Sequence, residues 1–407
     1  MPCRRNSAFL LATRDGKWHR TVFDIPLRGY RRDDGRVGIR NLVVVMAAAD
    51  NVNPLVRKLA GTVPDTVCLP ASYGRGQLGE DLEITLRTMA GLAAHPNVAD
   101  CLIDSFEAAS AERVAEAVRA MGREVTELSL LEEGGLSTAL QKGGELLRKM
   151  IENARTIDTQ EVDVSEFLLG LECGGSDTTS GLFGNPSLGA FADALIEAGG
   201  SAIFSEPVEC LGGEDLIGAR ARTPEARRDM IAAIHRFRDI ALLAGVDLTG
   251  VNPTADNIAG GLTTIEEKSL GAIAKSGSGP IEGLIGYGER PRGKGLWFMD
   301  APAAAVENLT AISASGAQAI LFVTGSGNPV GHPIAPTIKI CANSQTVARM
   351  PEHIDVDLSP IFADTFDTQK GARRIAEAFA ATVNRQETAA ERLDYLESNI
   401  SRFGLSV

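Results

Sequence analysis

The sequence predicts an α/β protein, with a small doubly wound parallel-sheet domain followed by a larger glycine-rich α/β domain that carries the chemistry. Three observations lead there. From residue 41 to about 150, short apolar runs alternate with helical patterns, which is how strands joined by crossover helices read. From 167 to 345, short strands are separated by stretches rich in Gly, Asn, Pro, Ser and Thr, and loops of this kind on a rigid scaffold usually hold function. The length of 407 residues suits two or three domains at roughly 100 to 200 residues each.

Residues 1–24 read as a frayed leader, because the apolar patch in MPCRRNSAFLLAT is too short for a secretory signal and Arg14, Asp15, Lys17 and His19 follow at once. The first domain is set at 25–155. Its strands are expected at 41–46, 66–70, 98–104 and 124–130, with helices near 52–60, 80–94, 110–121 and 135–153. In the third helix Val114, Ala117, Val118 and Met121 recur at helical spacing, and Gly122 stands where a left-handed cap is wanted. The polar, aperiodic segment 154–166 is the expected boundary, and the catalytic domain is set at 160–407. Strands are expected there at 167–171, 201–205, 295–300 and 319–323. A long helix at 224–244 opens with Pro224 and closes near Gly245. After Asp367 a further helix places Ala372, Ile375, Phe379 and Val383 on one face.

Composition narrows the function classes. The hydrophobic share of 44% and charged share of 23% belong to an ordered globular chain. With 40 basic against 53 acidic residues the net charge is −13, which argues against nucleic acid or an anionic membrane as the main partner. A small anionic metabolite is compatible, since a local cluster of Lys and Arg suffices to hold it. The apolar runs are strand-length, far below the roughly 20 residues of a membrane helix. Six cysteines, at 3, 68, 101, 173, 210 and 341, show no framework spacing, so reduced thiols and a cytoplasmic location are expected.

Four segments concentrate chemistry-bearing side chains. GLECGGSDTTSGLFGNPSLG (170–189) contains Cys173 and Asp177 between a strand and a helix; it is either an anion-binding turn or a plain glycine-rich turn. SEPVECLGGEDLIGARAR (205–222) carries Glu206, Glu209, Glu214 and Asp215 at a strand end. Glu214 and Asp215 fit the first turn of a helix, where the macrodipole favours acids. Glu206 and Glu209 fit that role poorly and suit oxygen ligation of a divalent cation. NPTADNIAGGLTTIEEKSLGAIAKSG (252–277) combines Asn257, Thr263 and Thr264 with Lys268 and Lys275, seven residues apart and so on one helix face. Its alternative is a capped amphipathic helix with ordinary surface lysines. GSGNPVGHPIAPTIKICAN (325–343) offers Asn328, His332, Lys339, Cys341 and Asn343, and a His between Gly331 and Pro333 is expected outside the core.

Taken together, GYRRDDGRVGIRN (29–41), ECGGSDTTSG (172–181), the acids from Glu206 to Glu214, NIAGGLTTIEEKSLGAIAKSG (257–277), GLWFMD (295–300) and PTIKICAN (336–343) resemble the altronate and galactarate dehydratase family, in the right order over about 22–365. The resemblance implies a lyase on a 2-hydroxy carboxylate and a divalent metal, foremost Fe(2+), with Mn(2+) and Mg(2+) as alternatives. It also implies a small antifreeze-like domain, expected here on a separate subunit, and an oligomeric enzyme. Sugar-acid dehydratases carry His and Cys in the loop after the second strand, where this chain reads ASYGRGQLGEDLE (71–83). That loop, with GLWFMDAPAAA, GNPVGHPIAPTIKICANSQTV and EHIDVD, is similar to the sulfolactate sulfo-lyase branch. The leading expectation is therefore elimination of sulfite from (2R)-3-sulfolactate giving pyruvate. Dehydration of altronate, galactarate or a related sugar acid is the alternative, and a non-catalytic support subunit is the alternative of another class. A nucleotide-dependent oxidoreductase, suggested by the first α/β half, is set aside for want of a phosphate fingerprint.

Residue roles follow from the chemistry shared by both eliminations, in which a base removes the proton beside the carboxylate and cations stabilise the enediolate. Glu206 and Glu209, with Cys173 or Asp177, are expected to ligate the metal. Lys268 is the expected base, and Lys275 or Lys339 the clamp. Arg75 is assigned to the sulfonate, while Thr263, Thr264, Asn257, Asn343 and His332 are expected to line the substrate. On this reading Lys268, Lys275, Lys339 and Arg75 converge.

Overall fold

Strands β1 (Leu27–Arg31) and β2 (Val37–Gly38) form an antiparallel hairpin ahead of the first parallel sheet. The computed structural model describes residues 25–248 and 252–407, so the expected leader lies outside the described residues. Four strands follow, β3 (Leu42–Ala47), β4 (Thr66–Leu69), β5 (Val98–Ser105) and β6 (Thr126–Ser129), each within two residues or so of its expected start. They are all parallel, in the order β4-β3-β5-β6. The run LVVVMA of β3 is almost wholly buried because a central parallel strand is covered on both faces. Helices Asn53–Thr62, Gly79–Ala93, Ala108–Ala120 and Leu136–Ala154 supply the crossovers. The chain passes from β3 to β4 on one side and then to β5 and β6 on the other, so the switch point lies between β3 and β5.

β7 (Gln160–Val162) lies inside the segment read as aperiodic and pairs antiparallel with β1. Three residues are too few to show a period. Beyond it, β8 (Leu168–Cys173), β9 (Ser201–Phe204), β10 (Ile281–Ile285), β11 (Gly295–Met299), β12 (Ala319–Val323), β13 (Thr337–Cys341) and β14 (Val356–Asp357) build a seven-stranded parallel sheet in the order β10-β11-β9-β8-β12-β13-β14. The sequence pattern announces neither β10, whose IEGLI carries an acid and a glycine, nor the two-residue β14. This sheet winds outward from β8 to one side through β9 and returns on the other from β12, which puts its switch point between β8 and β12.

The helix Thr368–Val383, capped by Asp367, buries Ala372, Ile375, Phe379 and Val383 as its periodicity predicts. Phe379 meets Phe167 edge-on at 5.4 Å and Phe191 at 5.9 Å, tying this helix to β8 and the helix Asn185–Glu197. The opposite face of the large sheet shares one apolar cluster with the four-stranded sheet. There, helix Ala305–Ala314 lies against Gly79–Ala93 so closely that a Cβ on Gly91 would stand 2.2 Å from the Ala314 carbonyl oxygen. Among the described residues no helix is long and apolar enough to cross a membrane.

Candidate active site

Parallel neighbours β8 and β9 end together. Leu171 is in register with Phe204, so two residues further along each strand Cys173 and Glu206 emerge side by side at the carboxyl edge of the sheet. Glu206 adopts a left-handed backbone at φ 71°, uncommon for a residue with a side chain, and turns the chain into the short helix Pro207–Cys210. That turn brings Glu209 back toward Glu206. The helix Ile265–Ala274 packs against this turn and supplies Lys268 and, at its end, Lys275.

The resulting cluster is dense. One ligand atom from each of Cys173, Glu206 and Glu209 lies within 4.8 Å of the others, and all three are buried. Lys275 Nζ donates to Cys173 Sγ at 3.2 Å and pairs with Glu206. Lys268 Nζ pairs with Glu209 at 3.0 Å and donates to Asn252 Oδ1 at 2.9 Å. The Lys275 and Glu206 side chains are 1% and 0% exposed, against 9% and 8% for Lys268 and Glu209. The surface-lysine alternative is thereby excluded. Glu206 Oε1 has no hydrogen-bond partner among the described residues.

Burial and neighbouring charge set the protonation. Burial works against the Lys275 ammonium, yet Cys173, Glu206, Glu172 and Glu209 hold its pKa well above the usual lysine value. Burial pushes Glu206 up to about 7 against the pull of Lys275, with Glu209 adding to the rise. The Cys173 thiol is raised well above its ordinary value by burial, which Lys275 only partly opposes. Such perturbed groups at a sheet edge are typical of functional sites.

A second group lies in the loops beside the switch point. Asp177 accepts from Thr179 Oγ1 at 2.9 Å, the Ser180 amide at 2.8 Å and Asn343 Nδ2 at 2.7 Å. A Cβ on Gly325 would stand 2.2 Å from Asp177 Oδ1, so the β12 loop is packed on this carboxylate. Asn343 Oδ1 caps the helix Ser344–Arg349, and Asn257 Nδ2 donates to the Ser176 carbonyl at 2.9 Å. Asp177, Asn257 and Asn343 therefore join three loops, and the group of mutually close donor atoms is made by Cys173, Glu206 and Glu209 without Asp177.

Several expected site residues lie elsewhere. Thr263 and Thr264 are exposed and spend their hydroxyls on Glu267, Thr263 donating to its carboxylate at 2.5 Å and Thr264 accepting from its amide at 3.2 Å. They are helix-capping groups. His332, expected outside the core, is 1% exposed; its Nδ1 accepts from the Ile334 amide at 3.2 Å, and burial lowers its pKa to about 3. Lys339 is buried on β13, donates to the Val330 carbonyl, and lies 3.5 Å from the centre of the Phe322 ring. Burial depresses its pKa well below the usual lysine value, so it is not a free charged clamp. Arg75 sits beside the four-stranded sheet, paired with Glu107 at 3.0 Å and 60% exposed. Two of the four expected cations converge, Lys268 and Lys275.

Glu172 was not anticipated. It is fully buried on β8, neither carboxylate oxygen has a partner among the described residues, and burial, reinforced by Glu206, raises its pKa well above the carboxylate range. Phe322 is in register with both Glu172 and Lys339, so the three occupy one row across β8, β12 and β13. The available signal was an acid inside FLLGLEC, a strand too apolar to have a solvent face.

The first half does contain a G-x-G-x-x-G spacing, at Gly74, Gly76 and Gly79 between β4 and the helix Gly79–Ala93. Its context is wrong for a dinucleotide. β4 is an edge strand and not a switch-point strand. The cradle is also filled, since a Cβ on Gly74 would meet Asp50 Oδ1 at 2.9 Å and one on Gly76 the Val407 oxygen at 2.5 Å. A carboxylate there repels phosphate.

Two family models account for most of the chain. Residues 29–155 match the D-galactarate dehydratase/altronate hydrolase second domain, and 164–406 match the D-galactarate/altronate dehydratase C-terminal region. The chain belongs to the galactarate/altronate dehydratase family. It is 40% identical over 376 residues to the (2R)-sulfolactate sulfo-lyase subunit beta of Chromohalobacter salexigens, covering 92% of this chain and 96% of that protein. It is 30% identical over 392 residues to the altronate dehydratase of Bacillus subtilis, covering 93% and 78% respectively. With the galactarate dehydratase (L-threo-forming) of Escherichia coli it shares 32% identity over 197 residues, 48% of this chain. The relatives are named as lyases or dehydratases, and Cys173, Glu206 and Glu209 are the buried group of this chain whose donor atoms could hold a metal ion.

Proposed function

We propose that the chain is the large catalytic subunit of a lyase that removes sulfite from (2R)-3-sulfolactate. The observation that carries the catalytic reading is the pair of buried lysine–carboxylate contacts, Lys268–Glu209 and Lys275–Glu206, beside the Cys173 thiol. The 40% identity to a protein named sulfolactate sulfo-lyase subunit beta supports the choice of leaving group.

In this reading Lys268, the less buried lysine, removes the proton from the carbon bearing the hydroxyl, with Glu209 and Asn252 orienting its amine. The C3–S bond then breaks, sulfite leaves with the bonding pair, and the enol gains a proton at C3 and loses its hydroxyl proton to become pyruvate. Lys275, paired with Glu206, faces the developing enediolate. Asp177, Asn257 and Asn343 set the loops that border the substrate.

The donor set also fits a divalent cation. A thiol and two carboxylates in mutual reach, with Glu206 Oε1 lacking a partner, suit ferrous iron better than magnesium, which favours oxygen alone. Cys173, Glu206 and Glu209 would hold it, and the chemistry it supplies is Lewis-acid stabilisation of enediolate charge. A second reading rests on Lys275 Nζ, which already touches Cys173 and Glu206 together: here the ammonium is the resident cation. Elemental analysis of anaerobically purified protein separates the two, stoichiometric iron favouring the first and full activity without metal the second.

The unpaired cysteines at 68, 101, 173, 210 and 341 support a cytoplasmic enzyme, and the name "subunit beta" of the relative supports a separate small subunit for this chain. The test is an anaerobic assay with Fe(2+), with and without a co-expressed small subunit, on sulfolactate, altronate and galactarate. Pyruvate and sulfite from sulfolactate are expected. Keto acid from a sugar acid without sulfite would replace the proposal by dehydration, and inactivity on all three, with no stoichiometric metal site, would favour a support subunit.

A further inference from the structure

The loop carrying Arg75 lines a cavity of about 250 Å³ in the N-terminal half, bounded by the β3, β4 and β5 loops and the helices Gly79–Ala93 and Ala108–Ala120. It shares no lining residue with the thiol and carboxylate cluster. Its position is the carboxyl side of a doubly wound parallel sheet beside the switch point between β3 and β5, where such folds bind small ligands.

The walls carry polar groups that the protein itself leaves unpaired. Gln77 is 5% exposed and Thr85 9% exposed, yet Gln77 Nε2 and Thr85 Oγ1 have no hydrogen-bond partner among the described residues. Glu107 accepts from Ser110 and pairs with Arg75 through Oε1, while its Oε2 is buried and unpartnered. Arg113, on the same wall, is exposed with no ion-pair partner among the described residues. Leaving a buried donor or acceptor unpaired is unfavourable, because the group has given up its water without a replacement. Three around one cavity indicate a ligand that completes them.

We propose that this cavity is a second binding site, for a small hydroxylated carboxylate. The guanidiniums of Arg75 and Arg113 meet the carboxylate; Gln77 Nε2 donates to one of its oxygens; Glu107 Oε2 accepts the ligand hydroxyl proton, and Thr85 serves either group. A dinucleotide is excluded by the filled glycine loop above, and a bare inorganic anion would leave Glu107 Oε2 unsatisfied and repelled.

Calorimetric titration of the full chain with D-glycerate, against sodium sulfate at matched ionic strength, tests this. Saturable binding is expected that persists in Lys268→Ala, weakens at least tenfold in Arg113→Ala, and weakens further in Gln77→Leu with Arg113→Ala. Arg113 is exposed, so its single substitution reads out even where the double variant does not fold. Loss of all glycerate binding in Lys268→Ala would put the ligand in the catalytic cluster and overturn the proposal. So would affinity unchanged in Arg113→Ala, sulfate binding as tight as glycerate, or no saturation in wild type.

Discussion

The carboxyl edges of the two parallel sheets solve the same topological problem in opposite ways. At the edge of the seven-stranded sheet, charges are buried in pairs, Lys275 on Glu206 and Lys268 on Glu209. At the edge of the four-stranded sheet, neutral groups such as Gln77 and Thr85 are buried singly, with the charges of Arg75 and Arg113 kept near water. Removing an ion from water is tolerable only beside a counter-ion, whereas a single amide or hydroxyl forgoes about one hydrogen bond. A crevice at a switch point is thus a property of the winding. Its chemistry is decided by what the loops carry into it.

The sharpest way to break this contrast is Lys275→Met. It leaves Glu206 buried without its cation, so a loss of about 3 to 5 kcal/mol is expected in urea unfolding, together with a fall in keto-acid formation of about a thousandfold. Adding Glu206→Gln should restore most of the stability and none of the activity. Retained turnover in either variant would remove Lys275 from the mechanism. Lys268→Ala should lower turnover by about 10² to 10⁴ with a smaller stability loss than Lys275→Met, because its pair is nearer solvent.

Asp104 sharpens the other side. It is the penultimate residue of β5 and fully buried, neither oxygen is partnered among the described residues, and burial raises its pKa from 3.8 to about 8. Between those values the unfolded chain has released a proton that the folded chain keeps, so stability is fullest below about 4 and falls as pH rises toward 8. The steepest slope from this group is about 1.4 kcal/mol per pH unit. Asp104→Asn should flatten that stretch of the stability–pH curve; an unchanged curve would show the carboxyl reaches water. The smallest effect belongs to Thr264→Ala, which removes the cap on the Glu267 amide: about 1 kcal/mol of stability, with turnover within twofold of wild type.

What was legible from the residues follows the same physics. Strands buried on both faces, such as 319–323, read correctly because an unbroken apolar run of that length, bounded by turn residues, fits a covered parallel strand and little else. The seven-residue spacing of Lys268 and Lys275 located them on one face, and that face is the one the structure buries. Thr263 and Thr264 misled because a capping hydroxyl and a ligand-binding hydroxyl look alike in a string. His332 misled because Gly and Pro neighbours signal a loop, and this loop is folded into the interior. Arg75 could not be placed at all from sequence, since which of two sheet edges a loop faces depends on strand order. Glu172 was hidden by its neighbours, a lone acid in an apolar run.

The pairing of β1 with β7 bears on how the molecule is made. Residues 27–31 hydrogen-bond to a strand at 160–162, and Leu27, Val37 and Ile39 sit in the apolar cluster of the large sheet, alongside Phe379 and Val383. During vectorial synthesis, at roughly 5 to 20 residues per second, the opening strand waits on the order of ten seconds for its partner and longer for its core. Through that interval an unpaired hairpin edge is presented to solvent. The charged stretch Arg31, Arg32, Asp33 and Asp34 interrupts that hairpin, and charge beside an unpaired edge disfavours edge-to-edge pairing with another chain.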